Sequence, residues 1–279
     1  MLIVQITGSL GNQMYGYALY RTLLARGRDV YMDLSFYDNQ DSPVVTARKY
    51  EIADVFNITE RTMKISRLRK LFISAANRLK ISNLVKIYRD KQSHFQPEIL
   101  ELHNGILQGY WQSFKYSAEI ENILRKEFTF KKSLTGKSAE IIDKIRNTNS
   151  VSISFRRGDY LKIGGALSVL PEEYYSKAIS YIQERVPNAK FFCTSDDIDW
   201  CKDNYSKKGL DIEFIDWSLG ENQYFDMQVI SECKYNILAN STFCLWGAWL
   251  NQNPNKIVLR PEWFPNRKDF WPDDWILIS

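Results

Sequence analysis

Histidine is nearly missing from this chain: among 279 residues only His94 and His103 carry an imidazole. A Cys/His zinc site therefore has almost no raw material. Cysteine is also scarce, and Cys193, Cys201, Cys233 and Cys244 form no CxxC pair and have no histidine nearby in sequence. They are expected to be reduced, mostly core thiols. No run of 18 apolar residues occurs, which leaves no candidate for a membrane-spanning helix. The chain opens on LIVQI, a strand, where a secretory signal would place a basic segment and then an apolar core, so a cytoplasmic location is expected. Internal repeats and low-complexity stretches are absent. Neither sign of charge dominates: 37 Lys/Arg against 33 Asp/Glu leave a net charge of +4, which does not imply nucleic-acid binding.

Aromatics, in contrast, are plentiful: eight Trp, sixteen Tyr and fifteen Phe suit a packed core and surfaces that contact sugars. The length is sufficient for two domains. One stretch departs from the even charge balance. Between Arg61 and Lys91 there are ten Lys/Arg and a single acid, Asp90, while Ile65, Leu68, Phe72, Ala75 and Leu79 recur at helical spacing. This predicts a basic amphipathic helix over 61–91. Such a helix either packs on the first domain with a solvated face or docks peripherally on an anionic membrane surface.

At the N-terminus LIVQI, the turn GSLGNQM, a helix to Arg26 and the strand DVYMDL form a βαβ unit. The dinucleotide fingerprint fails there, because Ile6 occupies the place of the first glycine and only Gly8 and Gly11 remain. Those glycines still permit a tight turn that lets backbone amides and Asn12 or Gln13 approach a ligand. A short strand is expected at GYWQSFKY, Gly109 to Tyr116. The polar break RNTNS predicts a domain boundary at 149/150, since strand and helix alternate regularly from Val151 to Leu259. The Pro- and Trp-rich tail after Leu259 is expected to cross the surface without regular structure. Two α/β units facing one cleft is the architecture implied.

Three strands of the second unit end in polar clusters. VSISF empties into Arg156, Arg157, Gly158 and Asp159. AKFFCT runs into Ser195, Asp196 and Asp197, and KYNILA into Asn240, Ser241 and Thr242 at the start of the apolar helix FCLWGAWL. In a parallel sheet these ends share one rim, where ligands sit. Paired arginines offer donor forks for phosphate oxygens, and Asn240 or Ser241 as an N-cap opens a helix terminus that favours an anion. Surface ion pairing of the arginines with Asp159, and plain helix capping, are the competing explanations.

The motifs GSLGNQM, GYWQSFKY, SFRRGDY, TSDD followed by Trp200, and CKYNILANSTFCLWGAWLN together resemble the bacterial α-1,2-fucosyltransferases of glycosyltransferase family 11, over nearly the whole chain and in the right order. The resemblance implies two facing Rossmann-like lobes in a B-type glycosyltransferase fold, 1–149 on the acceptor side and 150–279 binding the donor. It implies a GDP-fucose donor, no metal or other cofactor, and inverting transfer to a hydroxyl of a glycan acceptor, a galactose O2 of an oligosaccharide or lipid-linked glycan in surface polysaccharide synthesis. Arg156 corresponds to the residue that holds the β-phosphate, with Arg157 and Asp159 completing its loop. Asp196 and Asp197 correspond to an acidic pair that reads guanine or ribose, and Asn240, Ser241 and Thr242 to the other half of the diphosphate cradle. Gly11, Asn12 and Gln13 would face the cleft where acceptor and fucose meet. The family pattern HxRRGDY has histidine where this chain has Ser154, which donates a hydrogen bond but does not titrate near neutral pH. Asp159 and Asp33 are both open as a general base. Asp197-Ile198-Asp199 also spells the DxD of metal-dependent glycosyltransferases, and a non-catalytic GDP-sugar-binding homologue fits the same motifs.

Overall fold

The computed structural model describes residues 1–38, 48–64, 86–91, 94–163, 169–218, 222–262 and 269–279. Two compact units emerge, one of Met1–Lys131 with Asn266–Pro272, the other of Lys132–Pro265 with Asp273–Ser279. The first unit runs β1 (Leu2–Gln5), α1 (Leu10–Ala25), β2 (Val30–Asp33), α2 (Ile52–Val55), β3 (Thr62–Met63), β4 (Ile87–Arg89), β5 (Gly105–Gln108) and α3 (Glu121–Glu127). Its five strands are all parallel in the order β3-β2-β1-β5-β4. Of the basic segment 61–91, the ends are short strands, and the helix expected between them lies outside the described residues.

Helix α1 is buried along most of its length, and its polar positions are accordingly committed to internal partners. Gln13 is fully buried. Its Nε2 donates to the carbonyls of Gly8 (3.1 Å) and Lys49 (2.7 Å), and its Oε1 accepts from the amides of Glu51 (2.9 Å) and Ile52 (3.0 Å). The side chain expected to approach a ligand instead clasps the 49–52 segment to the start of α1. Gln13→Leu takes this partner from the Glu51 and Ile52 amides and the Lys49 carbonyl, each loss costing roughly 1–3 kcal/mol, while the Gly8 carbonyl keeps the Tyr37 hydroxyl. A loss of at least about 3 kcal/mol is therefore expected in urea unfolding, and a loss below about 1 kcal/mol would contradict the clasp.

GYWQSFKY is not a strand. The strand precedes it, as β5, and the motif is a turn in which Trp111 takes the left-handed φ of 53°, followed by a 3-10 turn over Phe114–Tyr116. Burial of the Trp111 and Tyr116 rings, edge to face at 5.8 Å, wins over the local β pattern.

The second unit runs α4 (Lys137–Arg146), β6 (Asn149–Phe155), α5 (Tyr160–Ile163), α6 (Glu172–Gln183), β7 (Ala189–Ser195), α7 (Ile198–Tyr205), β8 (Ile212–Phe214), α8 (Tyr224–Glu232), β9 (Tyr235–Ile237), α9 (Thr242–Leu250), β10 (Val258–Pro261) and β11 (Ile276–Ile278). Its six strands are also all parallel, in the order β11-β10-β9-β6-β7-β8. The polar break at 146–150 is the connection from α4 to β6 and lies inside this unit, so the division falls earlier than 149/150. Its cause is packing: Ile141, Ile142 and Ile145 of α4 join Phe192, Phe225 and Val229 in one apolar cluster. The tail has regular structure after all, since Ile276–Ile278 adds an edge strand to β10. All four cysteines are buried free thiols. Among the described residues, no helix is long and apolar enough to cross a membrane.

Candidate functional site

Strands β9, β6 and β7 lie side by side in the second sheet, so the loops leaving their carboxyl ends meet at one rim. β6 is buried on both faces along Ser150–Phe155, as expected for a central parallel strand. Beyond it, polar residues come at once. Arg156 extends Nη2 to Asp159 Oδ1 and Nη1 to Asp196 Oδ2, both at 2.8 Å. Arg157 turns the other way, placing Nε 3.1 Å from Asp197 Oδ2 and its guanidinium 3.7 Å from the centre of the Trp200 ring. Its backbone N–H donates to Asp196 Oδ1 at 2.9 Å. Adjacent arginines thus have different tasks: Arg157 braces the β6 loop onto the β7 loop, and Arg156 stands between them.

Tyr160 fastens the third loop. Its hydroxyl donates to the Asn240 carbonyl at 2.9 Å while its ring lies under the Arg156 guanidinium, 5.3 Å away. Burial raises the Tyr160 phenol well above its usual range, which keeps it a neutral donor at all ordinary pH. Ser241 is the N-cap of α9, in extended conformation, and its side chain accepts from the Phe243 amide at 3.2 Å. The apolar run FCLWGAWL buries nearly all of this helix, so its N-terminal turn is fixed in direction. Gly247 allows the close approach to α8: a Cβ there would come within 2.7 Å of Ile230.

Between these loops lies a cavity of about 150 Å³. Ser154, Arg156, Thr194, Asp196, Asp226 and Ser241 are among the residues lining it. Ligand clefts usually measure ~300–1,000 Å³, so this one accommodates part of a nucleotide sugar rather than all of it. Ser154 and Thr194 hydroxyls pair at 3.1 Å at the ends of their neighbouring strands. Asp226, on α8, lines the cavity and accepts a hydrogen bond from the Ser218 hydroxyl. It is half-buried, and desolvation raises its carboxyl to about 7, against a lowering by the Ser218 bond and a further rise from the Asp196 charge.

Of the residues singled out in the sequence, the structure brings Ser154, Arg156, Asp196 and Ser241 to the cavity wall. Arg157, Asp159 and Asp197 surround Arg156 or brace its loop; Asn240 and Thr242 are buried beside Ser241. Asp196 and Asp197, expected to read guanine or ribose, are both turned to arginines. Gly11 and Asn12 belong to the first unit, at the start of α1, where Gln112 Nε2 donates to Asn12 Oδ1 at 2.9 Å. Asp33 is buried at the end of β2, accepting from the Ser35 amide at 3.1 Å, so neither carboxylate proposed as a base is a free surface group. Sequence reasoning missed Asp226, Ser218 and Thr194. For Asp226 a signal existed: it shares a helical face with Val229 and Ile230, an acid set in an apolar stripe.

A family model, glycosyl transferase family 11, matches residues 1–276. The chain is 33% identical to an α-1,2-colitosyltransferase of Escherichia coli over 100% of this chain and 99% of that protein. It is 30% identical to the O-antigen biosynthesis glycosyltransferase WbnK of the same organism, over 97% and 98%. In structure it resembles the fucosyltransferase NodZ from Bradyrhizobium, with a TM-score of 0.52 at 13% identity over 89% of this chain and 92% of that one. The two parallel-stranded units thus have the glycosyltransferase B-type fold.

Proposed function

The chain belongs to glycosyl transferase family 11, and from that premise we propose that it moves L-fucose from GDP-fucose to a hydroxyl of a glycan, galactose O2 being the expected acceptor atom, with inversion at the sugar carbon. The observation that carries the reading is the meeting of the Arg156 guanidinium and the α9 N-terminus at one cavity. Departure of GDP develops negative charge on the diphosphate and positive charge on the sugar. A cation and a helix terminus fixed beforehand stabilise that leaving charge without reorganising. The two ion pairs of Arg156 occupy two of its five N–H donors, leaving others for phosphate oxygens.

Asp226 takes the role first given to Asp196 and Asp197. The guanine edge carries N1–H and the N2 amine, donors that suit a carboxylate recessed in a narrow cavity, and no ion pair of Asp226 competes for it among the described residues. The cradle supplies its own positive charge, and transfer is expected to need no divalent metal; Asp197 of the DxD triplet is paired with Arg157.

A second donor is favoured by the 33% likeness to a colitosyltransferase: GDP-colitose, whose sugar is fucose lacking one hydroxyl. Incubation with each donor and lactose or N-acetyllactosamine, monitored by GDP release and product mass, tests both. Transfer of fucose undiminished by excess EDTA is the expected result. Transfer of colitose alone would replace the donor, restoration of lost activity by Mg²⁺ or Mn²⁺ would install metal chemistry, and GDP-fucose binding without turnover would leave a binding protein.

A further inference from the structure

The first unit has a strand-end edge of its own. In its all-parallel order, β3-β2-β1-β5-β4, β1 lies between β2 and β5, so the loops leaving the carboxyl ends of these three strands share one edge, and ligands of open parallel sheets settle outside such ends. Three loops leave that edge: the Gly8–Asn12 turn after β1, Leu34–Tyr37 after β2 and Gly109–Gln112 after β5. Among the described residues few large apolar side chains are exposed, yet two of them are here, Phe36 at 37% and Tyr110 at 36%.

Tyr110 is held outward by construction. Trp111, with its φ of 53°, is a bulky residue in a region that such residues avoid, and it is fully buried. Asp90 fixes that turn: its Oδ2 accepts from the Trp111 amide at 3.0 Å, its own amide donates to the Gln108 carbonyl at 2.9 Å, and it packs so close to Gly109 that a Cβ there would lie 2.1 Å from the Asp90 Cβ. With Trp111 turned in, Tyr110 on one side and Gln112 on the other are presented elsewhere. Gln112 reaches from the β5 loop to Asn12 beyond β1, an amide–amide hydrogen bond of 2.9 Å. On the β2 side Phe36 stands edge-on to Tyr37 at 5.1 Å, and the Tyr37 hydroxyl donates to the Gly8 carbonyl at 3.1 Å. The Tyr110 phenol lies near enough to act electrostatically on that of Tyr37.

We infer that this edge is a sugar-binding platform, in which Phe36 and Tyr110 stack on the apolar faces of pyranose rings of the acceptor while the Asn12–Gln112 amide pair orients its hydroxyls. Pyranoses combine an apolar C–H face with a rim of hydroxyls, which is the complement of exposed rings beside amides. The inference rests on the reading that the acceptor is a glycan, and it adds the residues that grip it.

The test is the pair Phe36→Ala and Tyr110→Ala, singly and together. Both positions are exposed, and an unchanged melting temperature verifies folding. The acceptor KM for lactose or N-acetyllactosamine is expected to rise tenfold or more in the double variant while the donor KM moves less than twofold, and Tyr110→Phe is expected to retain wild-type acceptor KM. An unmoved acceptor KM, or equal rises for donor and acceptor, overturns the platform. Saturation-transfer NMR with the same free sugars separates this from failure of the fucosyl reading. Signal from wild type that is lost in the double variant sustains the platform even if both GDP-sugars are inert, and no signal from wild type to either sugar overturns it.

Discussion

Arg156→Ala is expected to lower turnover with GDP-fucose by roughly 10²-fold or more, a loss of about 3–4 kcal/mol of transition-state stabilisation, as found when one preorganised donor is removed from a site of developing charge. The local arrangement makes the loss larger than that of one hydrogen bond. Two guanidinium groups face three carboxylates here, Asp159, Asp196 and Asp197. Without Arg156, Asp159 and Asp196 confront the diphosphate unpaired, so donor affinity falls along with kcat. Arg156→Lys is expected to restore little, since a single ammonium cannot bridge both carboxylates and still present a fork to phosphate. Asp159→Asn keeps the cation and loses one brace; its effect should be nearer tenfold, because the Asp196 pair and the Tyr160 ring still position the guanidinium. Steady-state rates of GDP release with saturating acceptor measure these effects, and turnover within threefold of wild type in Arg156→Ala would remove the arginine from the mechanism.

Much of this rim was legible because it depends on local sequence order. VSISF alternates apolar and small polar residues, AKFFCT and KYNILA are largely apolar, all three are of strand length, and each is followed by a polar cluster. Parallel topology then brings those ends together whatever lies between. Partnership was not legible. That Arg157 would choose Asp197 and Trp200, and Arg156 the pair Asp159 and Asp196, is settled by loop geometry in which Gly158 matters: a Cβ there would meet Asp196 Oδ2 at 2.7 Å. Gln13 was misjudged because a polar residue in a glycine turn looks like a ligand contact until the 49–52 segment is seen folded over it. The domain edge was misplaced for a related reason, a polar linker between α4 and β6 being indistinguishable by composition from one between domains.

Asp226 supplies the second large effect, and its sign differs between folding and binding. An aspartate in the unfolded chain titrates near 3.9, whereas in the fold it is raised to about 7 by desolvation. Its contribution to stability is therefore fully present below about pH 4 and is lost as the pH rises through about 7. At about 1.4 kcal/mol per unit, the difference is on the order of a few kcal/mol. Asp226→Asn, which holds no charge, should accordingly be more stable than wild type at pH 8 and gain nothing at pH 4. Donor binding runs the opposite way, because guanine N–H groups need the ionised carboxylate as acceptor. GDP-fucose affinity should weaken about tenfold for each pH unit below 7 in wild type and be flat with pH in Asp226→Asn, where it is lower by about 10–100-fold at pH 8 through the loss of charge-assisted hydrogen bonds. GDP-fucose is the proper probe, since a terminal phosphate such as that of GDP itself titrates near 6. Calorimetric titration from pH 5.5 to 8.5 measures it. A variant that is both stabilised at high pH and weakened in binding marks a residue kept for its ligand at the expense of the fold; a variant that binds GDP-fucose as wild type does would return guanine recognition to Asp196 or Asp197.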